Sequence, residues 1–222
     1  MKKFIFLILF LPTIAEAYTI QNGSGGNRLF AEGWRVVCTP LSLPYYNDAL
    51  KDVDKFKKVY TNKALFNLNK IVFCNKFYIK RGQRAVKWLR GSYNFSDRTI
   101  FVKIDENADA DYLLHHEFSS ILIKTYGASF EQEWRSINVE GYTGNYKLEN
   151  NNSVAHLRAL HKKGWYRDYS KSSFENDFNI IVGHYFTGWL NVKLMTSSLF
   201  HPKIKNKISL MKRWYKKKGF LR

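Results

Sequence analysis

The sequence predicts an α+β protein, a small sheet packed on a central helix and followed by a mainly helical C-terminal half. Three observations carry this. Runs rich in β-branched and aromatic residues fall in the first half, at Trp34–Thr39 (WRVVCT), Asn69–Lys80 (NKIVFCNKFYIK) and Arg98–Ile104 (RTIFVKI), the composition of strands. One long helical pattern, Asp109–Tyr126, sits in the middle. Two further patterns of helical spacing, Ser172–Leu190 and Ile204–Lys218, close the chain. Strands first and helices afterwards give α+β rather than an alternating α/β order.

In chain order, Gln21–Asn27 (QNGSGGN) is a Gly-rich opening. Tyr46–Lys58 places Leu50, Val53 and Phe56 at helical spacing among Lys and Asp. Arg90–Phe95 (RGSYNF) reads as a loop, and Thr99–Ile104 as an edge strand leading into the central helix. That helix can be capped by Asp109 or Asp111, carries Leu114, Phe118, Ile121, Leu122 and Thr125 on one face, and ends at Gly127. Gly141–Ser153 is a polar loop, and Ser172 or Ser173 caps the next helix. There is no internal repeat.

The first 17 residues have the three parts of a secretory signal peptide: Lys2 and Lys3, an apolar run Phe4–Leu11, and a small-x-small cleavage signature Ala15-Glu16-Ala17. Eight apolar residues would span only about 12 Å as a helix, against a bilayer core of about 30 Å. No Cys stands at the cleavage point to take a lipid. The expectation is export to the periplasm or the outside of a bacterial cell, leaving residues 18–222 as a single domain with a basic C-terminal helix. Cys38 and Cys74 would then meet oxidising conditions and could form a disulfide, whose loop closure would stabilise by roughly 3–4 kcal/mol. Two buried thiols are the alternative, and two cysteines exclude a four-Cys zinc knuckle.

Net charge is +18, and aromatics are 17% of the chain. The aromatic content argues for a packed globule. The charge points to polyanionic surroundings, namely an anionic envelope polymer, a lipid surface or nucleic acid, and export argues against the last. The C-terminus concentrates Lys212, Arg213, Lys216, Lys217, Lys218 and Arg222 around Trp214, Tyr215 and Phe220. Such residues stack on bases or sit at a lipid interface, or are a solvated helix end suited to the C-terminal dipole.

The central helix contains His115-His116-Glu117-Phe118-Ser119-Ser120. A zinc peptidase helix needs His-Glu-x-x-His, because residues i and i+4 lie one turn apart and both imidazoles then reach one metal. His116-Glu117 is present, but Ser120 stands at the second His position, and the register starting from His115 meets Ser119. The strand before the helix, the His-His-Glu-Phe sequence and the downstream Phe174-Glu175-Asn176-Asp177-Phe178 together resemble zinc-binding metallopeptidases of the zincin type, anthrax lethal-factor-like, over about residues 71–186.

The resemblance implies a zincin-like fold. It implies His116 as the first zinc ligand and Glu117 as the general base that activates a metal-bound water for peptide hydrolysis. Ser120 is a poor substitute for the second ligand, so His115, His156 or His184 would have to move in. The third, acidic ligand is Glu175 by chemistry, or the place of Asn176 with Asp177 beside it when Phe178 is aligned. Glu175 also fits a capping box with Ser172, and Asp177 suits a helix first turn. Mid-helix Ser119 and Ser120 lack the exposed strained turn of a serine nucleophile. His161 is expected at the surface of a helix end and His201 in a loop. Two functions follow: an exported zinc metallopeptidase-like hydrolase acting on a peptide or protein, or a non-catalytic relative that binds an anionic envelope component through its basic surface.

Overall fold

Two strands that are apolar on both faces decide the layout. The computed structural model describes residues 18–23, 34–81, 84–105, 110–144 and 152–222; the expected leader and most of the Gly-rich opening lie outside them, as does Asp109. In chain order the elements are β1 (Thr19–Asn22), β2 (Trp34–Cys38), α1 (Leu43–Val59), α2 (Asn62–Leu65), β3 (Lys70–Cys74), β4 (Phe77–Arg81), β5 (Arg84–Trp88), β6 (Gly91–Asn94), β7 (Thr99–Lys103), α3 (Ala110–Tyr126), α4 (Ala128–Arg135), α5 (Val154–Lys163), α6 (Phe174–Phe186), α7 (Gly188–Phe200) and α8 (Pro202–Lys218).

A four-stranded sheet has the order β1-β3-β7-β6, parallel except for β6. Interior strands of a covered parallel sheet read as continuous apolar runs, as β3 (KIVFC) and β7 (TIFVK) do. Their side chains alternate between two cores. Ile71, Phe73, Ile100 and Val102 join α1, α3, α6 and α8 in the main core. Val72, Cys74 and Phe101 face the other way, onto Val36, Cys38 and Phe77 of a second, three-stranded antiparallel sheet β2-β4-β5. The Phe77 and Phe101 rings stack there with centroids 5.6 Å apart, and a disulfide joins Cys38 to Cys74, linking the two sheets.

α3 is the hub. Every residue from Ala110 to Ile123 except Tyr112 is buried, so over that span the helix has no solvent face and little amphipathic signature; only its last turn, with Lys124 and Thr125, is exposed. α6 runs against it. The chain end is tied back to the end of α1: the Thr61 amide donates to the Phe220 carbonyl at 2.9 Å, and Tyr60 bridges Leu221.

Several sequence expectations need correction. Asn69–Lys80 is two strands in two sheets, because the chain turns at Asn75 and Lys76, whose amides donate to the Thr39 carbonyl and hydroxyl at 2.8 and 3.0 Å. β7 is interior rather than at the edge. The edge is β6, which falls in the expected loop Arg90–Phe95; pairing with β7 overrides its weak strand propensity. The expected helix Ser172–Leu190 breaks at Thr187, whose extended backbone (φ −97°, ψ 114°) ends α6 before Gly188 opens α7. Ser173 caps α6, accepting from the Asn176 amide at 3.1 Å, so Ser172 and Glu175 form no capping box.

Replacing Cys38 and Cys74 with Ala should lower unfolding stability by roughly 3–4 kcal/mol on the loop-closure estimate. Urea denaturation of both proteins, with and without reductant, checks this: reductant should bring the wild type down to the variant and leave the variant unmoved.

Candidate functional site

α3 and α6 lie antiparallel, and three successive contacts set their register: His116 beside His184, Ser119 and Ser120 against Asn179, and Lys124 near Glu175 (3.8 Å). The close approach is made by Gly183, where a Cβ would collide with the Tyr112 ring.

At the first contact, His116 Nδ1 lies 3.2 Å from the Tyr112 hydroxyl. His184 Nδ1 faces the Ile180 carbonyl at 2.8 Å; this bond fixes the proton on Nδ1 and leaves the lone pair on Nε2. The His184 ring packs edge-on against Tyr112 and Tyr166, at 5.1 and 4.7 Å. Burial, and then the neighbouring His184, lower the His116 pKa to about 3; burial lowers that of His184 to about 4. Both imidazoles are therefore neutral at physiological pH.

Glu117 points to the sheet edge, where a Cβ at Gly91 of β6 would collide with its carboxylate. Burial, and then Glu175, raise its pKa to about 8. A carboxylic acid held protonated at neutral pH is a poor general base unless a nearby cation restores its charge.

At the second contact stands Ser120, where a zinc helix would carry its second His. The Asn179 side-chain amide donates to Ser120 Oγ at 2.6 Å. The Ser119 hydroxyl lies between Asn179 Oδ1 (2.5 Å) and the His116 carbonyl (2.8 Å). All three side chains are essentially inaccessible. The position is filled by a closed hydrogen-bonded clamp.

The remaining sequence-predicted residues go elsewhere. His115 lies in the main core, its Nδ1 2.9 Å from the Tyr60 hydroxyl, with Phe56 and Phe186 against its ring. Asp177 is fully buried away from His116: its Oδ2 accepts from Lys207 Nζ (2.5 Å), Trp134 Nε1 (2.8 Å) and the Tyr142 hydroxyl (3.0 Å). The Lys207 ammonium sits between the Trp134 and Trp165 rings, and burial lowers its pKa. Asn176 donates to Ser172 Oγ at 2.8 Å, and His156 pairs with Asp168 at 2.7 Å. His161, expected at the surface, is buried with Nε2 against the Tyr166 carbonyl at 3.1 Å; His201 joins α7 to α8 and touches its ring.

Sequence reasoning missed Tyr112, Tyr166 and Asn179. Tyr112 had a signal, one turn before His116; Asn179 had none.

A family profile described as "putative zinc-binding metallo-peptidase" matches residues 98–218, more than half of the chain. The chain belongs to this family. Its fold is also that of a solved structure, a "putative zinc-binding metallo-peptidase" from Bacteroides caccae ATCC 43185, with TM-score 0.58 and 12% identity over 92% of this chain and 80% of that one. A comparison with curated proteins gives no match.

The family's description names zinc, but the donors among the described residues do not fit it. A zinc site needs at least three converging His, Cys, Asp or Glu side chains, and no such group exists among the described residues. His116 and His184 are the nearest to a pair. Ser120 is occupied by Asn179, Asp177 by Lys207, and Glu175 lies beside Lys124. No catalytic step through a metal follows from this arrangement.

Two outcomes are expected. Glu117→Gln should open a stability gain over wild type as pH rises from 5 to 9, on the order of a few kcal/mol. The folded pKa of Glu117 is raised, so its stabilising contribution is intact below about 4.5 and lost as pH climbs to about 8, whereas Gln does not titrate. His116 and His184 act with the opposite sign and below pH 6.5. Thermal melts at fixed pH values read the difference, and a loss of stability at pH 9 would contradict it. Asn179→Ala should cost about 1–3 kcal/mol by stranding the buried serine hydroxyls. Urea titration checks this, and adding Ser119→Ala and Ser120→Ala should recover part of the loss.

Proposed function

We propose that this chain is a non-hydrolytic member of the zinc-binding metallo-peptidase family, exported to the cell envelope, where it holds an anionic component. The observation that carries the non-hydrolytic part is the Asn179 clamp on Ser119 and Ser120, which occupies the second-ligand position with groups that bind one another.

Binding of an anion is supported by charge placement. Arg90 and Arg167 act on Tyr112, and Arg167 and Lys193 on His184, so three cations lie near the His116–His184 pair, alongside the acid Glu117. Between α8 and α4, a cleft of about 200 Å³ is lined by Arg213, Glu133, Lys217 and Lys218; Arg213 pairs with Glu133, so its net positive charge comes from Lys217 and Lys218. Export is supported by the basic, apolar and small-x-small order of residues 1–17.

The deciding measurement is metal per purified chain after zinc is supplied, for wild type, His116→Ala and His184→Ala. The expected result is well under one zinc per chain in all three, with no peptide cleavage. Near one zinc in wild type, lost in either variant, would overturn the proposal in favour of a peptidase with a substitute ligand. Binding to dextran sulfate, as a model polyanion, should weaken at least tenfold between low and high salt; salt-independent binding would count against an electrostatic partner.

A further inference from the structure

α7 (Gly188–Phe200) is the anomalous element of the surface. Leu190, Leu194 and Ser198 turn inward, as expected. Yet the outward arc carries Trp189, Val192, Met195, Leu199 and Phe200, all exposed, the last two by about three-quarters (77% and 74%). Only Thr196 and Lys193 interrupt it. The outward arc of α7 is nevertheless largely apolar, and a contiguous exposed apolar face marks an interaction surface.

Charge says what covers it. From Phe178 to the chain end there is no Asp or Glu; Lys207 is buried against Asp177 and Arg213 pairs with Glu133, while Lys193, Lys205, Lys212, Lys216 and Lys217 are exposed. Lys193 Nζ lies 4.2 Å from the Trp189 ring centre. Lys212 lies over Tyr185, next to the start of α7, and Lys205 and Lys216 share its exposed side of α8 at helical spacing. An apolar face with Lys193 on it, followed in the chain by an acid-free, lysine-rich helix, matches an anionic lipid surface, which offers negative headgroups above an apolar phase. At 1.5 Å per residue, 13 residues extend about 20 Å, short of the roughly 30 Å bilayer core, and no described helix is long and apolar enough to cross a membrane.

We infer that α7 lies in the plane of an anionic membrane, with Trp189, Val192, Leu199 and Phe200 entering the acyl boundary and the α8 lysines holding the headgroups. This deepens the binding proposal above and rests on it for the charge of the partner. It does not depend on whether zinc binds.

The test is sedimentation with vesicles of phosphatidylglycerol and phosphatidylcholine against phosphatidylcholine alone. Wild type, Trp189→Phe and the triple variant Trp189→Ser/Leu199→Ser/Phe200→Ser are compared. All substituted side chains are exposed, so folding should survive, and thermal melts verify it. The expected result is binding to anionic vesicles only, at least tenfold weaker in the triple variant, whose dextran sulfate binding is unchanged. Lipids brominated in the acyl chain should quench wild-type tryptophan fluorescence and not that of Trp189→Phe. Vesicle binding equal in wild type and triple variant would overturn the inference and leave the polyanion proposal standing. So would a wild-type dimer in light scattering that the triple variant breaks, since the face would then belong to a second copy. Failure of wild type to bind either vesicles or dextran sulfate would remove both.

Discussion

The antiparallel packing of α3 on α6 is the constraint on which the rest of the structure depends. From Ala110 to Ile123 α3 has almost no contact with solvent, so each polar residue there must find a partner inside the protein or incur the cost of a buried unsatisfied group. Ser119 and Ser120 find Asn179, His115 finds Tyr60, and His116 finds Tyr112. Gly183 allows the two helices to come close enough for these bonds, because any side chain there would meet Tyr112. The same register that satisfies the serines sets His184 beside His116. Site and core are thus one packing solution.

A second buried polar group anchors α6 from its other side. Asp177 and Lys207 are both fully enclosed; Trp134 and Tyr142 also donate to Asp177 Oδ2, and Lys207 also donates to the Gly164 carbonyl. Breaking such a pair from one side strands a charge and is costly, even where the intact pair adds little net stability. This is why Asp177, attractive as a ligand by sequence, has no freedom to serve as one: its carboxylate joins α6 to α4 and α8.

The fold class was legible because it rests on local signals. The β-branched runs, the central helix and the basic last helix each announce themselves within a dozen residues, and the His-Glu pair with its flanking elements pointed to the family. What was not legible depends on distant partners. The break between β3 and β4 needs Thr39 to accept from Asn75 and Lys76. β6 is a strand only because β7 pairs with it. His161 looks like a surface residue in Leu160-His161-Lys162-Lys163 until the fold brings the Tyr166 carbonyl to its ring. Of the candidate site, His116 and Glu117 could be placed from the motif, and the absence of the second His was visible at once. The use made of that position was not, because Asn179 sits 59 residues from Ser120 and no motif marks it.

The presence of His116 and Glu117 in the core, with no three-donor group around them among the described residues, has a physical explanation that needs no metal. Both are enclosed in their uncharged forms, a neutral imidazole and a carboxylic acid, and an uncharged buried polar group costs far less than an ion. The core around them draws on the aromatic cluster of Phe130, Trp134, Phe178, Trp214 and Tyr215 and on the inter-sheet disulfide. A scaffold stabilised in this way keeps its shape with Ser120 rather than a His at the helix position after His116 and Glu117, because Asn179 satisfies that serine from within the core.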